Sequence, residues 1–324
     1  MNLREFSHMN TAELLDRVFD VYKKSFFPQV AFAAIVGVIS FVVILVASVV
    51  VAFVAAFTIF MGLGYGYDTE FTPTMAFILI ALVFAVILPL LVLWRTLVSS
   101  GHIMLAKQAF YGERVRLQVS RLPGTALRVI SAIFAQTLLS IPFIAIIGGI
   151  AYVILTPDMV ESIFSEYWMG GSALIANLFL VFVILITLVY VIYSNIFSLA
   201  VAAAVLEKQI FFGTVRRSWL LIKGDFWKIL GVRLLWTVMI LVLSYSAQGF
   251  ATIIYYLVDI VFLGVHIPFW IDNLIMSVQT FIGLLLMFIL GPLDGIMPAM
   301  IYFNQRIKKE GLDIEIQLER ISHV

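Results

Sequence analysis

The chain contains no cysteine. That removes disulfides, thiol nucleophiles and Cys-ligated metal sites. Charge is the second scarcity. Only 12% of the 324 residues are Asp, Glu, Lys or Arg, while 63% are hydrophobic, against about a quarter charged in an ordinary soluble domain. The net charge is +1 and the cations are spread over several short segments, so nothing offers the basic stripe that nucleic acid requires, and no nucleic-acid partner is expected. Histidine is sparse too. None of His8, His102, His266 and His323 is followed by Arg. There is no nucleotide loop, nucleophile elbow or metal-binding helix motif. Gly62, Gly64 and Gly66 are not followed by Lys-Ser/Thr and read as a turn. No metal or cofactor and no enzymatic activity is expected. The first 27 residues are charged and amphipathic, without an apolar core and small-residue cleavage site, so no cleavable signal is expected.

What is present is long apolar sequence, with a mean hydropathy of +1.11. Six stretches, at about 28–60, 74–106, 125–155, 172–206, 228–262 and 272–304, each exceed the ~20 residues that cross a bilayer. The cations set the orientation. Arg4, Arg17, Lys23 and Lys24 precede the first stretch. Lys107 to Arg128, Lys208 to Arg233 and Arg306 to Arg320 hold the rest, apart from Arg95 inside the second stretch. The other three connections carry only acids: Asp68 and Glu70; Asp158, Glu161 and Glu166; Asp259 and Asp272. The expected fold is an all-α polytopic membrane protein of six transmembrane helices, arranged as three two-span hairpins. Both termini are expected to be cytoplasmic, in the cell membrane, with a tail over 305–324.

Amphipathic segments flank the spans. Asn10-Thr-Ala-Glu13 reads as a capping box. Leu14, Leu15, Val18, Phe19, Tyr22 and Phe26 then share a helical face, while Asp16, Arg17, Asp20, Lys23 and Lys24 fall elsewhere. That pattern predicts a helix in the membrane interface, with Pro28 marking the turn into the bilayer. Val205 to Leu230 is the longest polar interruption, and 214–228 repeats the pattern with Arg216, Arg217, Trp219, Lys223, Phe226 and Trp227. Residues 157–169 read as a small interfacial helix between spans. Lys107-Gln-Ala-Phe-Tyr-Gly112 and Lys208-Gln-Ile-Phe-Phe-Gly213 match at an offset of 101. Arg17, Phe19, Lys23, Phe26 and Phe27 match Arg217, Trp219, Lys223, Phe226 and Trp227 at 200. These matches suggest one transmembrane domain over 1–324, built from units of about 11–112, 113–213 and 214–312. In the middle unit the helix candidate, Glu113 to Leu122, stops at Pro123.

Three segments together resemble the membrane domain associated with glycerophosphoryl diester phosphodiesterases, a family of six-span bacterial and archaeal proteins. They are Glu13-Leu-Leu-Asp-Arg-Val-Phe-Asp-Val-Tyr-Lys23, the stretch around Glu207 with Arg216-Arg-Ser-Trp-Leu-Leu-Ile-Lys-Gly224, and Tyr302-Phe-Asn-Gln-Arg-Ile-Lys-Lys-Glu-Gly-Leu-Asp313. Asn304-Gln305 departs from the family pattern, which has an acidic residue before the tail arginine. The soluble phosphodiesterase domain that gives the family its name is missing, so the resemblance implies a membrane fold and no catalysis.

Two kinds of candidate site follow. Arg95 and Asp294 each stand twelve residues from a cytoplasmic boundary cation, about 18 Å along a helix. An intramembrane charge costs on the order of 3 kcal/mol, so the two are expected to pair, either as a structural clasp or as a substrate or proton site. His102 follows Arg95 by seven residues on the same face. Gly291-Pro-Leu-Asp-Gly-Ile-Met-Pro298 predicts a broken helix around Asp294. The second candidate is the basic–aromatic set Arg17, Lys23, Lys24, Arg216, Arg217, Trp219, Lys223 and Trp227, which suits anionic lipid headgroups or a membrane or cytoplasmic protein partner. The expected function is a non-enzymatic protein that scaffolds or regulates a membrane assembly through that face. The alternative is a transporter of a small amphipathic or lipidic solute through a cavity near Arg95 and Asp294.

Overall fold

The computed structural model describes residues 9–64, 94, 96–117, 119–154, 173–261 and 269–322. Among the described residues there are helices and turns and no strand. The helices are α1 (Thr11–Gly64), α2 (residues 96–111), α3 (Leu122–Ile154), α4 (Ala173–Ile196), α5 (Ala200–Leu206), α6 (Phe212–Ile222), α7 (Phe226–Val261), α8 (Phe269–Glu310) and α9 (Leu312–Ser322). Five segments are long and apolar enough to cross a membrane: Thr11–Val43, Leu122–Pro142, Thr187–Leu206, Phe226–Phe250 and Met276–Glu310. The chain is an all-α, multi-pass membrane protein. Most of the expected span at 74–106 lies outside the described residues, as does the 157–169 helix.

The chain forms two compact units, each discontinuous in sequence. One is built from 1–9, 131–236 and 301–324, the other from 10–130 and 237–300. In the second unit, α1 opens on the expected capping box. Asn10 N–H donates to Glu13 Oε2 at 2.8 Å, and Glu13 N–H donates to Asn10 Oδ1 at 2.9 Å. The buried stripe of α1 is Leu14, Val18, Val21, Ser25, Gln29 and Phe32, rotated from the face read in the sequence. The rotation turns two polar side chains inward where they find partners. Ser25 Oγ donates to the Val21 carbonyl at 2.7 Å, and Gln29 reaches α2.

That packing corrects the reading of Pro28. The chain does not turn there, and α1 runs straight through it as one 54-residue helix. A proline inside a helix removes one backbone bond and crowds the carbonyl four residues back. Here the buried side chains on both sides of Pro28 hold the rod together. The break expected around Asp294 is likewise not found, because Pro292 and Pro298 both lie inside continuous α8. Leu293, Ile296, Met297, Ala299 and Met300 are buried around them, and the Tyr22 hydroxyl donates to the Ile289 carbonyl beside the proline-loosened turn. Pro123 does not stop a helix either. Residues 113–117 are non-helical, and Pro123 sits in the first turn of α3, where its missing N–H costs nothing.

Helices α1 and α8 come very close to α2. A Cβ added at Gly101 would lie 2.1 Å from the Phe32 ring, and one added at Gly295 would lie 2.5 Å from His102 Cβ. Only glycine permits these approaches. The apolar stretch at 172–206 is two helices rather than one. It breaks at Phe197 to Leu199 without a glycine or proline.

Candidate functional site

Helix α6 connects two segments long and apolar enough to cross a membrane, Thr187–Leu206 and Phe226–Phe250. Its eleven residues make a rod of about 16 Å, and the unit that holds it grips it along its length. At its start, Phe211 adopts φ 51°, a left-handed backbone that costs a bulky residue about 1–3 kcal/mol. Its N–H donates to Ser131 Oγ of α3 at 3.2 Å, and its ring lies 5.8 Å from that of Phe134. These contacts offset the strain.

In the middle, Ser218 plugs the α4–α5 break. Its Oγ donates to the Ile196 carbonyl at 2.7 Å and accepts the Leu199 N–H at 3.2 Å. Both backbone groups would otherwise be orphaned where the helix stops. Asn195, fully buried beside the break, donates to the Phe226 carbonyl at 3.3 Å and accepts from Arg233 at 3.1 Å. Asn195 thereby ties the end of α4 to α7.

At its end, Lys309 of α8 donates to the carbonyls of Leu221 at 2.7 Å and Leu220 at 3.2 Å, and to that of Lys223. A cation there satisfies the orphan carbonyls and the negative end of the helix dipole. Gly224, at φ +94°, then reverses the chain into α7, which a side chain would resist.

An ion cluster completes the grip. Arg217 Nη2 donates to Glu207 Oε1 and Glu310 Oε2, each at 2.6 Å, and Nη1 takes the other Glu310 oxygen. This is the forked geometry that makes arginine–carboxylate pairs strong. Arg306 Nε donates to Glu310 at 3.0 Å and stands 3.4 Å from Glu207. The hydrogen bond with Glu310 raises the Arg217 pKa above its usual value, burial opposes this, and the Glu207 contact adds to it. Lys308 holds both Asp225 oxygens at 2.6 Å. Burial pushes the Asp225 carboxyl up, but Lys308, with Lys309 and Lys228 nearby, holds it below the ordinary range. Asn304 donates to the Met9 carbonyl at 3.1 Å and accepts the Met9 N–H at 2.9 Å. The departure at Asn304 thus has a local role in pairing a backbone segment.

Everything that grips α6 uses one side of it: Thr214, Ser218, Leu221 and Ile222 are buried. Phe212, Arg216, Trp219, Leu220 and Lys223 are exposed. At 100° per residue these five fall within an arc of about 100°. Trp227, 74% exposed, and Lys228 continue the exposed surface into α7. The sequence grouped Arg216 with Arg217, but the structure turns Arg216 outward and Arg217 into the ion cluster. Of the other expected contact residues, Lys23 and Lys24 are exposed on α1, and the Arg17 guanidinium lies 5.7 Å above the Phe110 ring.

The expected pairing of Arg95 with Asp294 falls partly outside the described residues, because Arg95 is not among them. Asp294 is exposed on α8. His102 is buried with its ring edge-on to Phe32 at 5.3 Å. Its Nδ1 bonds Gln29 Oε1, and Gln29 Nε2 donates to the His102 carbonyl at 3.2 Å. Since Oε1 accepts, Nδ1 carries the proton. Among the described residues no three His, Cys, Asp or Glu side chains gather at metal-binding distance.

Sequence reasoning missed Gln29, Ser218 as a plug, and the tail cations as the grip on α6. Gln29 continues the Leu14–Val18–Val21–Ser25 stripe, a signal that was present. Lys308, Lys309 and Glu310 lie in the tail segment that carries the family resemblance, and Glu207 and Asp225, the sole acids in 205–230, needed cationic partners. Comparison with protein-family models, curated proteins and solved structures finds no match for this chain.

Proposed function

We propose that this is a non-enzymatic integral membrane protein that scaffolds or regulates an assembly at the cytoplasmic membrane, with α6 as its working surface. The observation that carries the reading is the division of labour within α6. One side is gripped by Ser218, Arg217 and Lys309 contacts, while the other presents cations and aromatic rings to the surroundings. A helix needed only as a connection has no use for so many fixing contacts. The resemblance to the phosphodiesterase-associated membrane domain belongs to the same reading, because two of its three segments, around Arg217 and Glu310, meet in this grip. The cation distribution supports a cytoplasmic position for the surface.

Photo-crosslinking in cells tests it. A benzophenone side chain at position 219 should give discrete adducts that Arg216→Glu abolishes without lowering protein abundance. Position 250, exposed on α7, should give only diffuse labelling. Identical patterns from 219 and 250 would refute the reading.

A further inference from the structure

We propose that the outward side of α6 binds anionic phospholipid, with the lipid phosphate held between Arg216 and Lys223 and the acyl chains against Trp219 and Leu220. This deepens the reading above and rests on it. Three observations point to lipid. First, the segments on either side of α6 are each long and apolar enough to cross, which sets α6 at a membrane boundary. A partner at that level meets headgroups before it meets anything else. Second, the exposed side alternates apolar and cationic groups. Trp219 is 42% and Leu220 51% exposed, and tryptophan, amphipathic itself, is enriched where headgroups meet hydrocarbon.

Third, the charge is one-sided. The two carboxylates within 205–230 both turn inward, Glu207 to Arg217 and Arg306, and Asp225 to Lys308. Lys208, Arg216, Lys223 and Lys228 stay exposed. The ion cluster therefore does more than fix α6, since it removes negative charge from the neighbourhood of the outward cations. Arg216 and Lys223 are seven residues apart, two helical turns, so they stand about 10 Å apart along one side. Long side chains from both can converge on one phosphate lying over Trp219 and Leu220. The fixed backbone means that binding orders only side chains and lipid, which favours a retained lipid over a transient encounter.

The test uses the full chain in nanodiscs of phosphatidylcholine with one tenth phosphatidylglycerol, followed by native mass spectrometry of the lipids that remain bound. The expected result is a bound phosphatidylglycerol-to-phosphatidylcholine ratio on the order of twentyfold above the bulk ratio, the effect of two cations near an anionic surface. Each of Arg216→Gln and Lys223→Gln should reduce the enrichment about fivefold, the effect of one cation near an anionic surface. Both side chains are exposed, so the thermal unfolding midpoint should not move. As a control that needs no variant, enrichment should also fall in about 1 M salt, where screening shortens to ~3 Å.

Bound lipid at the bulk ratio in the native chain overturns the proposal. If it is accompanied by a protein adduct from position 219, the lipid assignment fails while the contact-surface reading stands. If neither lipid nor protein is captured, both fail.

Discussion

Replacing Arg217 with leucine should destabilise the grip on α6 more than any change on its outward side. The guanidinium serves two carboxylates at once, with hydrogen bonds of 2.6 Å to Glu207 and to Glu310. Its side chain is 20% exposed and that of Glu207 15%, so the cluster is neither a surface pair nor a fully buried one. Exposed pairs contribute about 0.2–1 kcal/mol, and breaking a buried pair costs about 3–5 kcal/mol. Arg217→Leu should fall between these, at about 2 kcal/mol, because Arg306 remains within 3.4 Å of both acids.

Arg217→Lys keeps the charge but not the fork and should lose about half as much. Adding Glu310→Gln to Arg217→Leu should restore part of the loss, giving a coupling of about 1–2 kcal/mol in a double-mutant cycle. Reversible unfolding in a fixed detergent mixture, followed by tryptophan fluorescence, measures all four corners. Full additivity of the two changes, or an Arg217→Leu protein as stable as the native chain, would refute this account of the cluster.

Three further outcomes follow from the same structure. Asp225 has a folded-state pKa below its ordinary 3.8, so its pair with Lys308 is fully stabilising above about pH 4 and is lost as pH falls through the lower folded value. The stability difference between the native chain and Asp225→Asn should therefore be constant from pH 7 to 5 and vanish in stronger acid, as read by unfolding at stepped pH. Asn10→Ala should cost about 1 kcal/mol by removing half of the capping box, with hydrogen exchange rising first in the opening turn of α1. Gly295→Ala would drive a methyl group to 2.5 Å from His102 Cβ and should cost about 1–3 kcal/mol, whereas Gly231→Ala, with open space around it, should be neutral or slightly stabilising in the same assay.

Much of the fold is legible in the sequence because it follows from local composition. Apolar length predicts the crossing helices, and Asn10 with Glu13 predicts the α1 start. The misreadings share one cause, which is that a distant partner decided the outcome. Nothing between Ser194 and Leu199 announces a helix break, because the groups that stabilise it come from Ser218, about twenty residues later. Pro28, Pro292 and Pro298 read as breaks, but buried neighbours carry the helices through them.

The matched hexapeptides behave differently for the same reason. Lys107 to Tyr111 closes α2, whereas Lys208 to Phe211 is non-helical, with positive φ at both of those residues. The second copy is held by Ser131 and Phe134. Arg216 and Arg217 are indistinguishable by composition and only one helical step apart. Glu310, 93 residues further on, selects which of them faces inward.

The absence of cysteine makes one measurement direct. Single cysteines at 212, 214, 216, 218, 219, 220, 221, 222 and 223, spin-labelled in nanodiscs, report mobility and access to oxygen or to a water-soluble nickel reagent. Labels at 214, 218, 221 and 222 should be immobile and inaccessible. Labels at 212, 216, 219, 220 and 223 should be accessible at headgroup depth, giving a period of 3.6 residues. Uniformly mobile, water-exposed labels along α6, or labels immobile on the outward side as well, would contradict this arrangement of α6.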